Sequence, residues 1–182
     1  ERGRVLVVAG SLRMSGAARL AGFGALRGGA GLVTVACPDV VQLVVAAELP
    51  CALTLPLPSK RGALAASGAR EARAAAESAD AVVAGPGLTT LAGAFLARFL
   101  RGLGKPLVLD ADALNALAAD GKLLDAVPAP RVLTPHPGEA ARLLGREIPK
   151  DRDGRAAAAA DLAERFRCVT VLKGAEIGRA HV

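Results

Sequence analysis

The stretch Val132-Leu133-Thr134-Pro135-His136-Pro137-Gly138-Glu139 joins a short aliphatic run to an Ala/Leu-rich segment of helical pattern. It predicts a strand that ends in polar residues at the start of a helix. With His136 as N-cap, Pro137 takes the first helical position, where its missing N–H costs nothing, and Glu139 takes the third. Open α/β sheets bind ligands at such junctions. Glu139 equally fits a structural capping box, so this stretch alone leaves both interpretations open.

Strand and helix patterns alternate on either side of this stretch. The further predicted strands cover residues 5–9, 32–36, 52–55, 81–84, 106–109 and 169–172. In the first helical segment Leu20, Phe23 and Leu26 recur at helical spacing. Alternation of this kind indicates a parallel sheet with helices on both faces, joined by right-handed crossovers. With 182 residues, 52% of them apolar, the chain is predicted to form one α/β domain, a three-layer sandwich with a mainly parallel central sheet.

Composition argues against two classes of partner. The 23 Lys and Arg exceed the 17 Asp and Glu, but they are scattered singly, and four Phe with no Trp or Tyr offer little to stack on bases. Nucleic-acid binding is therefore not expected, although a mildly basic surface suits a nucleotide. The most apolar region, residues 32–57, is interrupted by prolines and charges, so no membrane span is expected.

The three cysteines, Cys37, Cys51 and Cys168, are odd in number and widely spaced. Without a CxxC pair or a neighbouring His cluster, they indicate reduced, buried thiols in a cytoplasmic protein rather than a disulfide scaffold or a zinc site.

Five turns rich in glycine and polar groups each follow a predicted strand. They are Gly10-Ser11, Gly85-Pro86-Gly87, Asp110-Ala111-Asp112, Thr134-Pro135-His136 and Lys173-Gly174. In a parallel sheet these ends lie along one edge, so we expect them to converge on one cleft. Taken singly, Asp110 and Asp112 also fit helix caps and Lys173 a solvated lysine, but their joint occurrence favours a site.

The combined motifs resemble the carbohydrate-kinase-like domain of the NAD(P)H-hydrate dehydratases. The resemblance runs from Gly3 to Ala175 and is specific as a combination, although each piece alone is weak. Its pieces are Ala9-Gly10-Ser11, Ser15-Gly16-Ala17-Ala18-Arg19-Leu20-Ala21, Ala25-Leu26-Arg27-Gly28-Gly29-Ala30-Gly31-Leu32-Val33-Thr34, Gly85-Pro86-Gly87-Leu88, Leu109-Asp110-Ala111-Asp112-Ala113-Leu114-Asn115, Leu133-Thr134-Pro135-His136-Pro137-Gly138-Glu139 and Val171-Leu172-Lys173-Gly174-Ala175.

The resemblance implies a ribokinase-like fold and a metabolite-repair activity. Hydrated NADH or NADPH would be phosphorylated on the ring hydroxyl by ADP or ATP, with Mg²⁺, and phosphate would then be eliminated. It places the hydrated dinucleotide at Ala17, Gly87 and His136, and the nucleotide phosphates at Lys173, Gly174 and Ala175. Supporting roles beside the phosphates fall to Asp110, Asp112, Asn115 and Glu139, and no residue of the chain is expected to be a dedicated metal ligand.

Two departures from the family pattern matter. Thr89 and Thr90 follow Gly-Pro-Gly-Leu where the family carries Gly. The family's Gly-Thr-Gly-Asp segment, which supplies the catalytic Asp, is absent, so no catalytic residue is assigned and the chain as given is expected to be inactive. Residues 176–182 leave the pattern and match the translation of a common sequencing adapter. We expect residues 1–175 to be a partial domain, incomplete at its C-terminus, and 176–182, including His181, to be a non-native tail.

Two alternatives remain open at this point. A thiazole- or hydroxymethylpyrimidine-kinase relative shares the sheet and a similar turn, but there we expect Asn in place of His136. The second alternative is that the chain is a non-catalytic nucleotide-binding fragment. The resemblance also implies a homo-oligomer, a tetramer in the family, and fusion to or pairing with an NAD(P)H-hydrate epimerase.

Overall fold

Short aliphatic strands build the sheet, and those in its middle are buried or half-buried, as expected of parallel pairing between covering helices. The computed structural model describes residues 2–128, 130–174 and 178–180. In chain order the strands are β1 (Arg4–Val8), β2 (Leu32–Pro38), β3 (Leu53–Leu57), β4 (Ser59–Lys60), β5 (Ala63–Leu64), β6 (Ala81–Ala84), β7 (Leu107–Leu109), β8 (Arg131–Leu133), β9 (Val169–Leu172) and β10 (Gly178–Ala180).

Eight strands form the main sheet in the order β10-β9-β8-β7-β6-β1-β2-β3, and β4 pairs with β5 in a separate hairpin. All neighbours from β3 to β9 are parallel. Only β10 within the described sheet is antiparallel, with Gly178 opposite Leu172. The predicted mainly parallel sheet is confirmed.

Helices cover both faces of the sheet. They are α1 (Ser15–Arg27), α2 (Gln42–Glu48), α3 (Ala69–Glu77), α4 (Gly93–Leu100), α5 (Asp112–Ala119), α6 (Pro137–Leu144) and α7 (Arg152–Phe166). Two separate buried clusters result. The larger contains Phe95 and Phe99 of α4 with Leu162 of α7, and the smaller joins Ala18 of α1 to Val45 of α2. This is the predicted three-layer sandwich.

The inward face of α1 differs from the one its sequence predicts. Leu20 is 68% and Phe23 is 52% exposed, whereas Ala18 and Gly22 are buried. A Cβ on Gly22 would lie 2.5 Å from Leu49 Cδ2 and 2.9 Å from Val35 Cγ2. Small residues therefore make the close contact with the sheet and α2. Leu20 and Phe23 face outward, whereas Leu26 is partly buried against the smaller cluster.

The hairpin of β4 and β5 was not predicted, because residues 56–60 read as a loop and residues 64–78 as one helix. The structure starts α3 only at Ala69. Arg61 and Gly62 form the two-residue loop, with φ of 56° and 78°. Two consecutive positive φ values are what a tight type I′ hairpin turn requires.

The thiol prediction is partly wrong. Cys37 and Cys168 are buried but Cys51 is exposed, and all three are free. Burial, assisted by the Asp39 carboxylate, raises the pKa of Cys37 to about 11. Burial also raises the pKa of Cys168, although a hydrogen bond with Thr170 lowers it in part. Both buried thiols therefore stay protonated near neutral pH.

Two other expectations concern membranes and the chain's end. None of the described helices has the length and apolarity to cross a bilayer. Ala175 and residues 176, 177, 181 and 182, including His181, lie outside the described residues. The expectation that 176–182 form a non-native tail therefore stays a prediction.

Candidate active site

The five turns predicted to converge do lie along one edge of the sheet. They follow β1, β6, β7, β8 and β9, which are parallel neighbours. Backbone hydrogen bonds join successive turns. Gly10 N–H donates to Pro86 O at 2.8 Å, Thr134 N–H donates to Leu109 O at 3.1 Å, and Lys173 N–H donates to Pro135 O at 2.8 Å. The edge is therefore one connected surface.

Gly85 connects the second and third of these turns by close approach. Its φ is 127°, and a Cβ there would overlap the carbonyl oxygen of Asp110. A left-handed φ and missing space both demand glycine at this position. The turn after β6 can therefore pack directly against the turn after β7.

The start of α6 has the geometry that its sequence predicts. His136 is the N-cap, and its Nδ1 accepts hydrogen bonds from Gly138 N–H at 3.0 Å and Glu139 N–H at 3.3 Å. Glu139 Oε2 in turn accepts the His136 N–H at 2.8 Å. This is a capping box with imidazole as the capping group. Because Nδ1 accepts, a neutral ring carries its proton on Nε2.

The outer side of the imidazole remains accessible. His136 is 50% exposed, and its Nε2 lies 3.4 Å from Glu139 Oε1, whereas Glu139 is only 5% exposed. The structural interpretation of Glu139 as a capping residue is thus correct as geometry. Nε2 already lies beside this carboxylate, and the half-exposed imidazole still presents its outer side to the cleft, where a ligand can contact it.

Lys173 links the last turn to two carboxylates. Its Nζ lies 2.5 Å from Asp110 Oδ1 and 4.0 Å from Glu139 Oε2. Arg155 of α7 donates through Nη2 to the Lys173 carbonyl oxygen at 2.9 Å and packs against Gly174. Lys173 is therefore held at the strand end rather than free in solvent, and the cluster combines one ammonium with two carboxylates.

Asp112 and Asn115 form a neighbouring network. Asp112 Oδ2 accepts the Thr89 N–H at 2.8 Å, and its Oδ1 accepts from Asn115 Nδ2 at 3.2 Å. Arg142 Nε donates to Asn115 Oδ1 at 3.1 Å. The alternative of Asp110 or Asp112 as a side-chain N-cap is wrong, since Ala111 is the N-cap of α5 and makes no side-chain capping bond. These two side chains hold the turn after β6 against α5 and α6.

Ala17 and Gly87 lie together at the other end of the edge. A Cβ on Gly87 would lie 2.7 Å from Ala17 Cβ, and Gly87 has a φ of 67°. His136 follows β8, two strands from β6, which is a lateral distance of about 10 Å at normal strand spacing. The residues assigned to one dinucleotide thus line a span of the edge rather than one point.

Sequence reasoning missed two arginines of this site. Arg155 and Arg142 reach it from α7 and α6, and neither belongs to a motif at a strand end. Their positions depend on how α6 and α7 pack, so no sequence motif marks them. Among the described residues, no group of three or more His, Cys, Asp or Glu side chains is arranged to hold a metal ion.

Comparison with known proteins shows the family to which the chain belongs. A family model described as NAD(P)H-hydrate dehydratase matches residues 5–177. The chain belongs to the NAD(P)H-hydrate dehydratase family. The match includes all five strand-end turns, so the dehydratase motifs and the observed edge coincide.

Individual dehydratase relatives agree with the family match. The chain is 42% identical over 176 residues to the bifunctional NAD(P)H-hydrate repair enzyme Nnr of Moorella thermoacetica, covering 95% of this chain and 33% of that protein. It is 38% identical over 178 residues to the ADP-dependent (S)-NAD(P)H-hydrate dehydratase of Xanthomonas campestris, covering 97% and 60%. The chain therefore spans between a third and three fifths of these relatives.

A solved dehydratase structure shows the same fold. The ADP/ATP-dependent NAD(P)H-hydrate dehydratase of Bacillus subtilis, co-crystallised with ATP/Mg²⁺ and soaked with CoA, is similar with a TM-score of 0.76 at 30% identity. The alignment covers 98% of this chain and 62% of that one. The predicted ribokinase-like fold is confirmed.

Proposed function

We propose that this dehydratase domain serves the nucleotide-dependent dehydration of the (S)-hydrate of NADH or NADPH. The ring hydroxyl gives up its proton and takes the terminal phosphoryl group of ADP or ATP, which releases AMP or ADP. Phosphate then leaves with the electrons of the C–O bond while the adjacent ring carbon loses a proton, and the double bond that forms restores the reduced ring. The observation that carries the proposal is the convergence of Lys173, Glu139 and the accessible edge of His136 at the start of α6. Phosphoryl transfer needs this kind of positioning and charge neutralisation.

The nucleotide phosphates are proposed to bind beside Lys173 and Gly174, with Ala175 completing the segment. Lys173 is 42% exposed, so its ammonium can exchange Asp110 for a phosphate oxygen. ADP or ATP is the proposed donor, in line with the names of the relatives. Magnesium ions in such sites are held by one or two carboxylates, waters and substrate phosphates. Asp110, once Lys173 turns to a phosphate, would be one such carboxylate, and the metal would neutralise developing phosphate charge.

The hydrated dinucleotide is proposed to contact Ala17, Gly87 and His136. The missing side chain of Gly87 lets its backbone pack closely against Ala17 at the start of α1, and His136 offers the exposed side of its imidazole. Asp112 and Asn115 are proposed to act indirectly, by holding Thr89 and the turn after β6 in place. No residue of the chain is assigned as the catalytic base.

The proposed partners extend beyond the two nucleotides. A homo-oligomer is supported by apolar side chains on the outside of α1 and α2, including Leu43 at 79% exposure. Fusion to or pairing with an epimerase is supported by the bifunctional names of several relatives. A cytoplasmic location is supported by three free cysteines.

Calorimetric titration with hydrated NADH and with NADH tests this function. We expect the hydrate to bind about tenfold or more tightly, because a site built around a substrate hydroxyl discriminates against a ligand that lacks it. The whole gene product that contains this chain is then assayed with hydrated NADH, Mg²⁺ and ADP or ATP for release of NADH. Equal affinities together with no nucleotide-dependent NADH release would overturn the proposal.

A further inference from the structure

A pocket opens on the same edge, at the far side of Gly87 from Lys173. Its volume is about 400 Å³, and it lies between the turn after β1, the turn after β6 and the loop of the β4–β5 hairpin. Six of its lining residues carry the argument: Ser11, Arg13, Arg61, Gly62, Thr89 and Thr90. Ser11 belongs to the Ala9-Gly10-Ser11 motif, but the resemblance assigns no ligand contact to it or to the other five residues.

Two hydroxyl groups in the pocket are buried without a partner. Ser11 is only 2% exposed, and the side-chain oxygens Ser11 Oγ and Thr89 Oγ1 lack any hydrogen bond within the described part of the chain. A buried hydroxyl left unpaired costs about 1–3 kcal/mol. Unpaired buried hydroxyls are rare in native structures. Since both residues line the pocket, a rotation of either side chain would let its hydroxyl hydrogen-bond a group bound there.

The charge of the pocket is uniformly positive. Arg13 and Arg61 are exposed at its rim, and no carboxylate is among its lining residues. Neither guanidinium takes part in a hydrogen bond or ion pair with any described residue. Two unpaired guanidinium groups beside three hydroxyl side chains match a phosphate, since arginine binds phosphate oxygens in a fork and hydroxyls donate to the rest.

The hairpin is fixed in place over the pocket. Leu12 N–H donates to Gly62 O at 2.8 Å, and a Cβ on Gly62 would lie 2.5 Å from Leu12 Cβ. Arg61 therefore projects from a tight turn seated on the loop that carries Ser11 and Arg13. The two arginines therefore lie on segments that are packed against each other, not on a free surface loop.

We propose that this pocket binds a phosphate group of the hydrated dinucleotide. The assignment rests on the proposed function and locates a part of that substrate. The pocket adjoins Gly87, which is two residues from Thr89, and Gly10, which is bonded to Pro86 and precedes Ser11. Lys173 follows β9, three strands from β6, or about 15 Å away at normal spacing. The edge thus carries two separate anion sites, one for the phosphate donor and one for the dinucleotide.

Arg13→Gln, Arg61→Gln and the double variant test the proposal by calorimetric titration with hydrated NADH and, separately, with inorganic phosphate. Arg70→Gln, exposed on α3 outside this pocket, is the matched control. We expect each pocket variant to bind both ligands about tenfold more weakly, since a charge-assisted hydrogen bond is lost. The control variant should change neither affinity. Added salt should weaken binding to the parent more than to the double variant.

Ser11→Ala separates a binding role from a structural one. Because Ser11 Oγ has no partner to lose, we expect an unchanged or higher Tm together with weaker binding of both ligands. A lower Tm with unchanged affinities would overturn the proposal.

The two ligands also separate this proposal from the proposed function. If the parent binds phosphate through Arg13 and Arg61 but does not bind hydrated NADH, the anion site stands and the proposed function fails. If hydrated NADH binds the parent and the double variant equally, the pocket assignment is wrong while the proposed function survives. Loss of phosphate binding alone would show a site for free phosphate and would contradict the dinucleotide assignment.

Discussion

Thr89 occupies a backbone conformation that normally belongs to glycine. Its φ is 64° and its ψ is 162°, and a β-branched residue in this region stores about 1–3 kcal/mol of strain. Glycine adopts this conformation without strain, so the backbone follows a path that a threonine occupies only at a cost. The Asp112 carboxylate holds the Thr89 N–H in that position.

We expect Thr89→Gly to raise the free energy of unfolding by about 1 kcal/mol. Relief of strain and removal of the unpartnered hydroxyl outweigh the entropy that glycine adds to the unfolded chain. Urea denaturation measures the change. Thr90→Gly is the matched control, because Thr90 begins a 3₁₀ helix without a positive φ. It should lower stability by about 0.5–1 kcal/mol. A destabilised Thr89→Gly protein would contradict the strain argument.

At the scale of elements, α6 and α7 end in the same way with different residues. Gly145 has a φ of 71° and Arg167 a φ of 47°, and both are left-handed C-caps. A left-handed conformation costs a non-glycine residue about 1–2 kcal/mol. We therefore expect Gly145→Ala to lower, and Arg167→Gly to raise, the free energy of unfolding by about 1 kcal/mol each. Thermal denaturation of the two variants measures the change. Tm shifts of the same sign in both variants would refute the expectation.

The parallel strands and the strand-end turns were predictable because they depend on local signals. Aliphatic runs of four or five residues ended by Gly or Asp mark β1, β6 and β7 within one residue of their observed bounds. The capping box of α6 was predictable for the same reason, since Pro137 and Glu139 have fixed places in a first helical turn.

What was missed depends on tertiary contacts. The outward face of α1 was not predictable from spacing, because the tight contact of Gly22 with Leu49 and Val35 is made by the smallest residues of the helix. The β4–β5 hairpin was missed because its strands have only two residues each. The basic pocket was missed because Arg13 and Arg61 become neighbours only when that hairpin is seated on Leu12.

At the scale of the whole molecule, the exposed side chains of α1 and α2 require an explanation. Phe23 and Leu43 are at least half exposed, and Arg19 of α1 pairs with Glu48 of α2 at 3.4 Å, so the two helices present one surface. Exposed apolar groups gathered on one surface mark interaction sites. We expect the chain to self-associate through this surface, and Phe23→Lys with Leu43→Lys to shift it to monomer in sedimentation velocity.

Leu91→Lys is the matched control for this prediction. Leu91 is 51% exposed but lies on neither helix, so its replacement should leave the association state unchanged. A monomeric parent chain, or equal effects of the control and the helix variants, would show that the surface of α1 and α2 is not the interface.

The most direct test of the proposed dinucleotide site is the affinity of hydrated NADH for the His136→Asn variant, measured beside its free energy of unfolding. Asn is as good an N-cap as any residue, so the fold of α6 should be preserved to within about 0.5 kcal/mol. Asn is also the residue expected here in the related thiazole and pyrimidine kinases. If the imidazole edge faces the hydrated dinucleotide, affinity should fall about tenfold, the loss expected for one hydrogen bond of about 1.4 kcal/mol. Unchanged affinity at unchanged stability would show that His136 only caps α6, and would contradict the assignment of this edge to the dinucleotide.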